Sequence, residues 1–445
     1  MCLCGRFATV HNRWAGLLAT HKECAKKISW IGRAAANCIR RFDRHCLCFP
    51  QRMLRHGETH QNGSRDLRID WLRGLAMTCV VINHSRMTSL LSWFSYERFW
   101  IVTAAEVFVV LSGVVLGMVY GRRLRRDGWL AVVKGLGRRA LTLYLAFIAV
   151  TMSVLLLSIV GVDVRSITSL EGQAPVWWFL DPRTMNAGAW LDVALMRHGP
   201  WPFEIVGLYV WLVIAAVPCL MALRFAGWRP LLAVSWVLYV SYRIAPHRLT
   251  AAEFESVFPI LAWQLLFVHG IVIGYYRERF GTLVARCPTF VPLVTAGASA
   301  AFVVFALCNP WLDGPAWLPW RVISAERFSY FYSQYFMLSD LGVGRLLNLA
   351  VGLPVGFVLL AWCWRILHPL HVIFVTFGQR SLGAFVLHVY GVLMLAHLPQ
   401  SSGFWINTLA QVALILAIAI VLSGVQRVWA GRRMRTPAAT VSLAA

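Results

Sequence analysis

Ionisable side chains inside apolar segments are expensive to bury, so where they occur they mark a site or a buried pair. The stretch Arg68-Ile-Asp-Trp-Leu-Arg-Gly-Leu-Ala-Met-Thr-Cys-Val-Val-Ile-Asn-His contains Asp70, Arg73 and His84. Arg73 and His84 are 11 positions apart. That is close to three turns at ~3.6 residues per turn, so both side chains project from one helix face about 16 Å apart. An imidazole titrates near neutral pH and suits general-base work, and a guanidinium suits an anionic group. Glu106, in Thr103-Ala-Ala-Glu-Val-Phe-Val-Val-Leu-Ser-Gly113, falls at the same depth as His84. Each is about 10 Å from the outer end of its segment at ~1.5 Å per residue. A carboxylate beside an imidazole fixes its tautomer and raises its basicity, so Glu106 is expected to orient His84.

Glu204, Tyr209, Gln264 and His388 lie at comparable outer depth in later segments. Singly, a His or Gln inside an apolar helix is accounted for by a helix-helix hydrogen bond. Their shared depth predicts a polar pocket open to the outer side, with Glu204, Gln264 and His388 on the substrate. On the inner side Arg138 and Arg139 join Arg73. This basic cluster could hold the phosphates of a soluble acyl donor such as a coenzyme A thioester. Topology or lipid headgroups are the alternative account, and they explain Arg122, Arg123, Arg125 and Arg126.

The elements that must position these groups are membrane helices. Of the 445 residues 59% are hydrophobic and only 14% charged, which excludes a water-soluble fold and predicts an all-α polytopic membrane bundle. About ten spans are expected, near 70–91, 99–120, 137–160, 203–224, 229–245, 259–276, 289–308, 345–364, 376–397 and 404–425. The formal charge of +23 is gathered between the apolar runs, so it reads as cytoplasmic loops and not as a nucleic-acid footprint. Every even-numbered span leads into a basic loop, which places both termini in the cytoplasm. The long outer loops, about 161–202 and 309–344, are rich in Trp and Pro and should carry short amphipathic helices. Gly113 and Gly117, at small-xxx-small spacing, should let the second span approach a neighbour closely.

Residues 1–64 form a basic, irregular extension with no span, and two readings stay open: a cytoplasmic extension, or translation that begins at Met53. Six of the cysteines fall in its first 48 residues, but Cys46-Leu-Cys48 beside His45 lacks ligand spacing, so no metal is expected. The membrane domain covers 65–430 and a cytoplasmic tail 431–445.

Arg73 followed by ten residues and His84 resembles the motif of the acyltransferase-3 superfamily, and Arg65-Asp-Leu-Arg-Ile-Asp-Trp-Leu-Arg-Gly-Leu75 resembles the opening of its OpgC family. Ala105-Glu-Val-Phe-Val-Val-Leu-Ser-Gly113, Arg197-His-Gly-Pro200 with Tyr209, Trp263-Gln-Leu-Leu-Phe267, and Gly378-Gln-Arg-Ser-Leu382 with His388 agree as well. Ser339-Asp-Leu-Gly-Val-Gly-Arg345 is a looser version of a later block. The resemblance implies ten spans in a bacterial inner membrane and transfer of an acyl group, succinyl in that family, from cytoplasmic acyl-CoA to a periplasmic glucan or related glycan. It also implies that His84 is the catalytic base and Arg73 its donor-binding or catalytic partner. A transporter or solute-binding protein that relays protons through His84, Glu106 and His388 is the alternative from another class. An inactive partner of a glucan-synthesis complex is a third.

Overall fold

The structure is a computed structural model that describes residues 66–95, 97–168, 187–288, 290–311, 322–398 and 403–435. The N-terminal extension, with its cysteines, and the last ten residues of the expected tail lie outside these. Residues 431–435 are the end of a helix. Among the described residues there are helices and no strands. They are α1 Leu67–His84, α2 Ala104–Ile159, α3 Arg165–Thr168, α4 Ala187–Ala194, α5 Glu204–Phe225, α6 Trp228–Ile244 and α7 Ile260–Tyr275. Then follow α8 Arg277–Ala285, α9 Phe290–Leu307, α10 Ala325–Tyr335, α11 Val343–Cys363, α12 His371–Gln379, α13 Ser381–Ala396 and α14 Phe404–Arg435. The main unit is Arg65–Phe280 with Phe290–Ala445; Gly281–Thr289 clusters apart from it.

Leu293, Val294, Val358, Leu409 and Ile420 are exposed on α9, α11 and α14, as a lipid-facing surface requires. Five helices among the described residues are long and apolar enough to cross a membrane, or up to seven if two bent pairs each count as one span. That is fewer than the ten expected, for visible reasons. Helix α1 carries Arg68, Asp70 and Arg73 within 18 residues. Helix α6 has only 17 residues. Helix α2 is one continuous run of 56 residues with a break at Gly128 (φ 80°). The chain folds back there. A Cβ on Gly135 would meet the side chains of Arg123 and Tyr120 at 2.9 Å, although in a straight helix residues 120 and 135 would be about 22 Å apart. The expected span 376–397 is broken by a 97° bend into α12 and α13.

Helix-helix contacts close through glycines. Gly113 and Gly117 on α2 face Gly270 and Gly274 on α7, and a Cβ on any of the four would come within 2.1–2.3 Å of a backbone carbonyl oxygen on the other helix. The expected neighbour of the Gly113 stripe is therefore α7, which carries the same spacing. Helix α1 meets α12 in the same way: a Cβ on Gly74 would lie 1.7 Å from the carbonyl oxygen of Phe374, and one on Gly378 1.8 Å from that of Asp70. The long loops carry α3, α4 and α10, as expected of them.

Candidate functional site

Helix α1 ends at His84, with Ser85 as its C-cap and Arg86 in the left-handed region (φ 51°). Helix α2 starts at Ala104, because Thr103 and Glu106 form a capping box in which the Glu106 carboxylate accepts the Thr103 backbone N–H. His84 and Glu106 thus sit at helix ends and not a third of the way down longer spans. They do not meet. Both Glu106 oxygens accept from Arg345 Nη1, at 3.0 and 3.1 Å. Arg345 also pairs with Glu97 and donates to the Phe336 carbonyl at 2.5 Å, and Tyr332 donates to Glu97 at 3.1 Å. The guanidinium is the stronger partner for the carboxylate, and it ties the 85–103 loop to α11.

The partner of His84 is His388, on the third turn of α13. His388 Nδ1 lies 2.6 Å from the carbonyl oxygen of Phe385, one helical turn earlier, and its Nε2 lies 3.1 Å from His84 Nδ1. A carbonyl oxygen can only accept, so His388 Nδ1 carries the hydrogen. In neutral His388 the Nε2 lone pair then accepts from His84 Nδ1–H, which leaves His84 Nε2 as the basic atom. His388 is fully buried. The Trp201 ring meets the His84 ring edge-on at 4.9 Å between centroids, and Arg86 lies 4.7 Å from the Trp201 ring. Trp201 is fixed by a hydrogen bond to the Ser166 carbonyl, 2.9 Å.

His84 opens on a cavity of about 620 Å³ whose wall includes Trp201, Glu204, Phe108, Arg98 and Phe258. Glu204, at the first turn of α5, lines the same cavity as His84, and His388 stands behind His84. Gln264 is not at this cavity. It accepts from Ser235 Oγ at 2.7 Å and donates to the carbonyls of Ser235 and Leu261, which locks α6 onto α7 and uses both of its amide N–H groups.

Arg73 is buried and donates to Ser381 Oγ at 2.9 Å, at the first residue of α13. Its guanidinium lies 5.0 Å from the Phe108 ring centroid. Phe108 belongs to the cavity wall and Arg73 does not. Arg73 and His84, expected to share one lane from their common helix face, therefore do not line this cavity together. Arg138 and Arg139 are exposed on the second arm of α2. Arg139 and Arg73 both lie within electrostatic range of Tyr209. His198 pairs with Glu253 at 2.9 Å, and this bond holds its imidazole above the ordinary value.

Sequence reasoning missed Arg345, Glu97 and the contact of His388 with His84. Arg345 is an ionisable residue at the head of an apolar run, the same signal that marked Arg73. Residues 65–429 match the family model described as OpgC protein. No curated protein and no solved structure matches the chain.

Proposed function

The chain belongs to the OpgC family, and from that premise we propose that it is a membrane O-acyltransferase. It moves an acyl group, succinyl by family resemblance, from cytoplasmic acyl-CoA to a hydroxyl of a periplasmic glucan or related glycan. Its place is the bacterial inner membrane, with both termini and the Gly128 turn cytoplasmic and the His84 cavity open to the periplasm.

The observation that carries this reading is the relay of the Phe385 carbonyl, His388 and His84, which leaves one imidazole nitrogen basic beside a cavity large enough for a sugar. A hydroxyl placed against His84 Nε2 gives up its proton as its oxygen bonds to the thioester carbonyl carbon. The tetrahedral intermediate then collapses, the C–S bond breaks, and the leaving thiolate takes the proton back from His84. The products are an ester and a free thiol, and His84 ends as it began. His388 is a positioning residue, since it holds the His84 tautomer and does not touch the reacting atoms. Glu204 and Trp201 are suited to the acceptor sugar.

The test is thiol release and glycan acylation by membranes containing the chain or its His84→Ala variant at equal abundance. Acylation that depends on His84 supports the reading. Unchanged product from the variant ends it, and solute flux without thiol release would favour a transporter.

A further inference from the structure

Helices α1 and α11 diverge and leave a second, largely apolar cavity of about 440 Å³. Its wall on α1 runs from Trp71 to Asn83, a length of about 18 Å at ~1.5 Å per residue. On α11 it runs from Asn348 past Gly352 and Gly356 to Cys363. Asn83, Ser95, Arg98, Thr103 and Ala104 line both this slot and the His84 cavity, so the two spaces adjoin.

Three features narrow what such a slot can hold. First, Asn348 in its wall is wholly buried, and neither its amide nitrogen nor its amide oxygen has a hydrogen-bond partner. A hydrocarbon tail would leave both atoms unsatisfied, at about 1–3 kcal/mol for each buried group. A chain containing a secondary amide offers one donor and one acceptor. Second, guanidinium groups stand beyond the end of the slot at Trp71 and Cys363, with the buried Asp70 carboxylate next to Trp71. Arg68 lies 5.1 Å from the Phe357 ring on α11, and the His371 ring is 4.0 Å from that of Trp364. Asp66 is shared by Arg68 and Arg277, so this trio keeps a net positive charge. Third, the opposite end reaches Asn83, the neighbour of His84, while Arg73 lines neither cavity.

We propose that the slot between α1 and α11 is the donor channel. It takes an anion-headed thioester with an amide-bearing arm, the head at Arg68, an arm amide on Asn348 and the thioester carbonyl beside His84. This rests on the acyl-transfer reading above and replaces the route along Arg73.

Two readouts test it in membranes containing the full chain. Succinyl-CoA should slow maleimide labelling of native Cys363, followed by peptide mass spectrometry, with lipid present throughout. A slot filled by lipid instead gives no protection by succinyl-CoA, and that result overturns the assignment. The second readout compares succinyl-CoA with a succinyl thioester of mercaptoethanol, which has neither amide nor phosphate. Asn348→Leu should raise KM for succinyl-CoA about tenfold, as for an unpaired buried hydrogen-bonding group, and leave the short thioester within about twofold. Gly356→Leu should narrow the slot, since nothing lies within 4 Å of a Cβ there, and so weaken the protection of Cys363 by succinyl-CoA; this readout stands in should the Asn348 variant fail to fold. An unchanged KM for succinyl-CoA, or equal losses with both donors, refutes the channel. Should the unaltered chain release no thiol from succinyl-CoA, the acyl-transfer reading falls and takes the channel with it. Should it release thiol while Cys363 stays unprotected, the channel alone falls.

Discussion

At the scale of single residues, the proposed transfer depends on which nitrogen of His84 is bare. The Phe385 carbonyl fixes His388, and His388 fixes His84, so the tautomer is set two steps away from the reacting atoms. His84→Ala should therefore lower acyl transfer by about 10²–10⁴-fold, the usual worth of a positioned base. The sharper test is at His388. His388→Gln keeps an acceptor for His84 Nδ1–H, whereas His388→Leu keeps the bulk and removes the acceptor. Transfer rates at saturating substrate should fall on the order of a hundredfold in the Leu variant and recover in large part with Gln, with KM little changed in both. Equal losses in the two variants would reduce His388 to packing. Depth along each helix was legible in the sequence, and it brought His84, Glu204 and His388 to one level. Depth is one coordinate of three. Which face of a helix meets which neighbour is set by the glycine contacts of distant segments, so Glu106 was matched to His84 when its partner is Arg345.

At the scale of elements, the site is held by ties that can be cut one at a time. Arg345 joins the 85–103 loop, the start of α2, and α10 to α11 through two carboxylates buried with it. Arg345→Met would leave both without a cation, a loss of about 3–5 kcal/mol for a broken buried pair. Adding Glu106→Gln and Glu97→Gln should restore much of it, as read by thermal unfolding in detergent. The α2–α7 seam admits no side chain, so Gly270→Leu should lower stability by about 1–3 kcal/mol or more, whereas Gly297→Leu on open α9 surface should not. The His198–Glu253 pair carries a pH dependence. Its imidazole titrates above its ordinary value, so its contribution is fully present below about pH 6.5 and fades as pH rises through the raised value. Corrected for the intrinsic base-catalysed rate, amide protection in α4 and the Trp201 turn should fall between neutral and alkaline pH, and His198→Ala should remove that fall. The start of α2 could have been placed from sequence alone, because Thr103-Ala-Ala-Glu106 is a capping box. It was read as span interior because the residues before it are apolar.

At the scale of the whole molecule, the turn at Gly128 separates two chemistries. One end of the bundle holds the relay and its cavity. The other holds Arg122, Arg123, Arg125, Arg126, Arg138 and Arg139 around the turn. The apolar runs made the helical class and most helix positions legible. The number of crossings was less so, because α1 carries Arg68, Asp70 and Arg73 and the bend between α12 and α13 lies beside the close packing of Gly378 on α1, a contact between residues 308 positions apart. Basic residues resist translocation, so the Gly128 end should face the cytoplasm, where acyl-CoA is made, and the His84 end the periplasm. Thr88 and Arg126 are exposed at the two ends. In intact cells a membrane-impermeant maleimide should label Thr88→Cys above the background of the unaltered chain, and Arg126→Cys only after permeabilisation. The reverse pattern would put the relay on the donor side, so that donor and acceptor would meet without crossing the bilayer and a channel along α1 would have no purpose.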